Sequence, residues 1–153
     1  MEVFRISAPR YAQSLTASGV ANRWNLAGQY IIYTAATASL ACLENVVHRS
    51  GEGLASRFAV LRLEVPDTLA VEELTLSDMP PDWQLPSAYA RCQPLGAAWY
   101  RRQAAAVLRV PSSIIAHEHN YVLNAHHPDF TQVRIAGREE FTFDPRIKAP
   151  EPE

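Results

Sequence analysis

Two cysteines in 153 residues are too few for a disulfide framework. Cys42 and Cys92 both fall in helix-like segments, far apart and without a CxxC pair, so they read as reduced thiols. No apolar run approaches the roughly 18 residues that a membrane span requires. The opening Met-Glu-Val-Phe-Arg offers neither a basic n-region nor an apolar h-region. No signal peptide is therefore expected, and the expected setting is the cytoplasm. The formal net charge of -2 gives no global electrostatic reason for nucleic-acid or membrane-surface binding. There is no GxxxxGK[ST] loop, no GxGxxG fingerprint and no GxSxG elbow. Internal repeats and low-complexity linkers are absent too, which leaves no basis for a second domain.

What is present is ordinary for a globular chain: 48% hydrophobic and 20% charged residues. That length buries a real core without a structural metal. Val3–Ser7 reads as a strand ended by Pro9, and residues 10–28 as a loop with a helical turn. Tyr30–Thr34 reads as a buried strand. Thr37–His48 follows as a helix with Leu40, Leu43 and Val47 on its apolar face, and Thr37 or Ser39 as its cap. Phe58–Val65 alternates as a strand ended by Pro66. Residues 66–86 are loop with short elements, and Ser87–Ala106 is a helix interrupted at Pro94. Short strands are expected at Val107–Val110, Ser113–Ala116, Tyr121–Leu123, Gln132–Ile135 and Glu140–Phe143. The charged, Pro-rich segment 148–153 is expected to be a disordered tail on a domain spanning 1–147. Several short strands with two helices indicate an α+β fold.

Candidate chemistry begins with metal. His117-Glu118-His119 places two histidines on one face of an extended segment, and His126-His127-Pro128-Asp129 follows. Neither has HExxH spacing, and both suit surface loops and a turn, so no metal site is expected. A Ser-His-Asp set built on Ser112 carries no weight, because almost any chain allows one.

The polar residues from 23 to 44 are more informative. Arg23 is a permanent cation whose fork suits phosphate or carboxylate, yet it reads equally as a surface or loop-paired arginine. Tyr33 lies in an apolar strand and reads also as a core aromatic. Glu44 stands beside the apolar face of its helix, where a carboxylate needs a partner. Arg23 is one candidate, giving a buried ion pair. Ser112, after Pro111, is a fourth polar group or a turn residue. Together these four suit a phosphate-bearing, aromatic-ringed substrate such as a dinucleotide. Sequence spacing does not bring them together.

The whole chain, however, resembles the RES domain. The resemblance runs through Phe4-Arg5-Ile6-Ser7, Asn22-Arg23-Trp24-Asn25, Ile32-Tyr33-Thr34 and Ser39–Glu44. It continues through Asp82-Trp83, Leu95–Trp99, Leu108–Ser112, Asn120–Asn124, His127–Phe130 and Phe143–Arg146. The arginine, glutamate and serine that name the family fall on Arg23, Glu44 and Ser112. Ala21-Asn22 stand where the family usually has glycines. The resemblance implies a fold like that of the ADP-ribosyltransferase toxins, with mixed and antiparallel sheets and a few helices. It implies a toxin of a bacterial type II toxin–antitoxin pair that consumes NAD by hydrolysis or phosphorolysis of the nicotinamide–ribose bond. The expected partner is an Xre-like helical antitoxin that obstructs the site. NAD is then substrate, with no cofactor. In that reading Arg23 anchors phosphate or ribose, Tyr33 stacks on nicotinamide, Glu44 stabilises charge at C1′ and Ser112 orients Glu44 or substrate. Arg5 and Asn25 are further substrate contacts. The alternatives are a mono-ADP-ribosyltransferase acting on a protein and a non-catalytic module that binds an antitoxin.

Overall fold

Runs of β-branched and aromatic residues form seven strands that join in one sheet. The computed structural model describes residues 1–49 and 53–147. The tail expected at 148–153 lies outside the described residues. The strands are β1 (Glu2–Ser7), β2 (Ile31–Ala35), β3 (Phe58–Glu64), β4 (Val71–Glu73), β5 (Val107–Pro111), β6 (His119–Asn124) and β7 (Arg134–Phe141). Their order in the sheet is β4-β5-β6-β2-β1-β3-β7. β4 runs parallel to β5, and the other neighbours are antiparallel. With α1 (Ala38–His48) and α2 (Tyr89–Arg102) this is the expected α+β domain with a mixed sheet. Among the described residues no helix is long and apolar enough to cross a membrane.

The centre of the sheet is where it matters. β1 pairs with β3 over six residues, and β2 with β6 over five. Between them β1 and β2 share one register pair, Phe4 opposite Ala35. Beyond that pair the two central strands part, and their diverging halves leave a gap. Fully buried Val3, Ile32, Leu61, Leu63 and Leu123 pack one core. A second core sets Leu40 and Ala41 of α1 against Ile6, Ala35 and Phe58. A third gathers Trp24, Trp83, Cys92, Trp99, Leu108 and Val110 around α2. Each such large side chain taken from water contributes about 1.5–3 kcal/mol, which is what fixes the helices on the sheet.

Thr37 caps α1: its hydroxyl accepts the Leu40 N–H at 3.0 Å. Of the expected Leu40-Leu43-Val47 stripe, Leu40 is buried, Leu43 is half-buried and Val47 is half exposed. Ala41, Glu44, Asn45 and His48 line the gap between β1 and β2, which this helix also covers.

Three further expectations are corrected. α2 runs unbroken through Pro94. The ring removes the bond to the Ala90 carbonyl, but the helix continues across it with Cys92, Gly96, Ala97 and Trp99 buried on either side. Ser113–Ala116 is a turn, not a strand, because Ser112 Oγ accepts the N–H groups of Ile114 and Ile115 at 3.1 Å each. The two strands expected at 132–135 and 140–143 are one, β7 over 134–141, which pairs with β3 across a bulge between Arg62 and Leu63.

Candidate active site

The gap between β1 and β2 is a cavity of about 410 Å³, within the range of small-molecule sites. β1 supplies Phe4, Arg5 and Ile6, and β2 supplies Ile31, Tyr33, Thr34 and Ala35. The inner face of α1, the loop through Val20–Asn22 and Asn120 of β6 close it. A smaller cavity of about 40 Å³ adjoins it, with Arg23, Trp24, Tyr89, Pro111 and Ser113 on its wall. Asn22, Tyr33, Glu44, His48 and Asn120 border both.

Glu44 is held by three side chains. Its side chain is 16% exposed. Oε1 accepts the Asn120 amide at 2.6 Å and the Ser112 hydroxyl at 3.4 Å. Oε2 lies 3.2 Å from His48 Nε2, one helical turn on. Burial pushes this carboxyl upward, but His48, Asn120 and Ser112 together outweigh it and hold Glu44 below its ordinary value. The result is a desolvated carboxylate kept ionised at the neck between two cavities.

Ser112 does not line either cavity. Buried, it accepts two backbone N–H groups and spends its proton on Glu44. The functional side chain it touches is Glu44.

Arg23 is 7% exposed. Nη1 donates to the carbonyls of Trp83 and Leu85, and Nη2 to Gln84. The guanidinium also lies over the Tyr89 ring, 4.5 Å from its centroid. The expected ion pair with Glu44 is absent, and the large cavity does not include Arg23. Both terminal nitrogens are committed to tying the 22–25 turn to the 83–85 segment.

Asn25, 1% exposed, is likewise internal. Its amide donates to the carbonyls of Val20, Leu26 and Gln29, and its oxygen accepts the Tyr33 hydroxyl at 2.6 Å. It borders neither cavity. Tyr33 also accepts the Trp24 N–H at 3.1 Å. Burial drives its phenol well above its ordinary value, so it stays protonated. The hydroxyl is spent on the turn, and the ring is left to form cavity wall.

The turn itself is a small antiparallel bridge between Asn22 and Asn25, with N–O distances of 3.1 and 3.3 Å. Asn22 does not take a left-handed, glycine-like conformation; among the described non-glycine residues only Asp82 and Gln103 do. Its side chain instead accepts the Arg23 N–H at 2.8 Å. The glycine this turn does require is distant: Gly96 of α2, against whose Cα the Trp24 carbonyl packs directly.

Arg5 lines the large cavity, and among the described residues it has no hydrogen-bond or ion-pair partner. Burial lowers its pKa from the usual guanidinium value, with no partner to offset it. A cation so placed is a receptor for an anion. His48 and Asn120 were not singled out in the sequence. His48 was within reach of the i,i+4 rule from Glu44, whereas Asn120 carries no sequence signal of its role.

Residues 2–144 match the RES domain family. A "Prs ADP-ribosylating toxin" of Sphingobium sp. (strain YBL2) is 33% identical over 141 residues, covering 89% of this chain and 88% of that protein. A "Toxin Res" of Yersinia enterocolitica is 33% identical across 97% of this chain and all of its own length. Another, of Pseudomonas putida, is 34% identical across 96% and 99%. Matched over nearly its whole length, the chain belongs to the RES domain family of toxins.

Proposed function

We propose that this protein cleaves the nicotinamide–ribose bond of NAD and acts as the toxin of a type II toxin–antitoxin pair. The observation that carries the proposal is Glu44, a carboxylate held ionised on the helical wall of a cavity whose strand wall carries Arg5, unpartnered among the described residues. As the bond from C1′ to nicotinamide breaks, its electron pair leaves with the ring nitrogen and positive charge grows on the ribose. A fixed carboxylate stabilises that charge chiefly in the transition state. Oε1 already accepts two hydrogen bonds, whereas Oε2 has one close partner. A carboxylate oxygen takes two, so a ribose hydroxyl donates to Oε2.

Arg5 is the better anchor for the pyrophosphate. The sequence reading gave that part to Arg23, but Arg23 has its terminal nitrogens on backbone carbonyls, so it positions the turn. The Tyr33 ring is the surface on which nicotinamide stacks. Ser112 and Asn120 orient Glu44. The partner is an Xre-like helical antitoxin that covers the cleft, with no nucleic acid or membrane contacted directly, and the setting is the cytoplasm.

A second reading, transfer of ADP-ribose to a protein, is favoured by the name of the Sphingobium relative, an ADP-ribosylating toxin. Labelled NAD incubated with purified protein, with and without phosphate and with cell extract, separates the two. Free ADP-ribose or its phosphate ester supports NAD depletion, and a labelled protein band supports transfer. Tight binding of an antitoxin with no NAD consumed under any condition would make the chain a non-catalytic binding module.

A further inference from the structure

We infer that His48 is a positioning residue that aims the free acceptor direction of Glu44 into the cavity. The inference rests on the NAD-cleaving reading above. Glu44 and His48 stand four residues apart on α1, so their side chains share the helix face that roofs the gap between β1 and β2. Asn120 and Ser112 pin Oε1 from β6 and from the end of β5. That pins one atom only, and the terminal torsion of a glutamate is soft. His48 Nε2, 3.2 Å from Oε2, is the second point of support. With both oxygens held, and the carbon between them, the plane of the carboxylate is set. With one direction of Oε2 taken by His48, the other is left for the ribose hydroxyl.

Charge works to the same end. Bound substrate expels water from the cavity, and a carboxylate that loses water is driven towards its neutral form. His48 opposes this from within the helix. Of the groups packed around Glu44, Tyr33 of β2, Asn120 of β6 and Ser112 are uncharged at neutral pH, and Arg5 of β1 is a permanent cation lining the cavity. His48 is half exposed and borders both cavities, so it does this without filling the core.

The test compares wild type, His48→Ala and His48→Gln, each folded by circular dichroism at the assay temperature. The expected result is a kcat for NAD cleavage about 10- to 100-fold lower in His48→Ala, the cost of a misplaced reacting group, with KM nearly unchanged. Most of kcat returns in His48→Gln, which restores an N–H donor. The acid limb of the kcat/KM profile moves to higher pH in His48→Ala. A wild-type kcat with an unmoved acid limb in His48→Ala overturns the inference, as does a His48→Gln no better than His48→Ala. A second measurement needs no substrate: the Glu44 carboxyl titration, followed by NMR, shifts upward in His48→Ala. If wild type cleaves no NAD but this shift appears, the functional reading fails while the support of Glu44 by His48 stands. If the titration does not move, His48 does not support Glu44.

Discussion

Gly96→Ala is the perturbation in which local preference and tertiary packing point in opposite directions. A Cβ at this position would lie 1.9 Å from the Trp24 carbonyl oxygen, 2.7 Å from its carbon and 2.9 Å from its Cα. Ordinary contact begins at 3.4 Å, so α2 and the 22–25 turn must part by about 1.5 Å. What gives way is backbone, not the end of a flexible side chain. Overpacking of this kind costs about 1–3 kcal/mol, sometimes more. Alanine is worth about 1 kcal/mol over glycine inside a helix, which offsets part of it. At the upper end the net loss is about 2 kcal/mol, or a Tm lower by about 4–8 °C for a domain of this size. The same movement displaces the Trp24 N–H from Tyr33, and a shift of about 1 Å near reacting groups costs about 100-fold in rate. Thermal unfolding by circular dichroism, paired with an NAD-loss assay, reads both. Were packing against Trp24 unimportant, helix propensity alone would raise the Tm by a few degrees. A Tm equal to or above wild type refutes the reasoning.

Four other outcomes follow from the same geometry. Arg23→Ala strips the carbonyls of residues 83–85 of their donors and should lower stability by about 2–3 kcal/mol, seen as a reduced urea midpoint; an unchanged midpoint with weakened NAD binding would restore Arg23 as the anchor. Arg5→Met removes a partly desolvated, unpartnered cation, so calorimetry should find the Tm unchanged or raised while NAD affinity measured by titration falls at least tenfold. Glu44 has a folded pKa below its ordinary value, so its bonds stabilise the fold above the ordinary carboxylate pKa and that contribution is lost as pH falls through the lowered folded value. Urea melts of wild type and Glu44→Gln between pH 7 and pH 3 should therefore converge towards the acid end; parallel curves would show that these bonds contribute nothing. Thr37→Ala removes the cap of α1 and should cost about 1 kcal/mol, read as a Tm lower by a few degrees.

Much of the fold was legible because it rests on local patterns. The cap at Thr37, the strands at Ile31–Ala35 and Phe58–Glu64 and the end of β1 before Pro9 all follow from neighbouring residues. The turn at 113–116 was missed through a local bond, the Ser112 hydroxyl taking the Ile114 and Ile115 N–H groups; the other errors come from partners distant in sequence. Pro94 does not break α2, because buried Trp99 and Cys92 hold the helix from its other contacts. Val47 is exposed because the helix face that matters covers a cleft, and the apolar stripe does not reveal the cleft. Glu44 was legible as a carboxylate needing partners, but Asn120 and Ser112 are brought to it only by the pairing of β5, β6 and β2. Arg23 and Arg5 could not be ranked from sequence, since what separates them is whether backbone carbonyls or open space meets the guanidinium.

The central claim is that the Glu44 carboxylate drives departure of nicotinamide. The direct measurement is free nicotinamide released from NAD by purified wild type and by Glu44→Gln, both shown folded by circular dichroism. The expected result is steady release by wild type, with a rate in Glu44→Gln lower by at least about 100-fold, the usual effect of losing one electrostatic stabiliser. Equal release by the two proteins, or none from wild type freed of its antitoxin, would contradict the account.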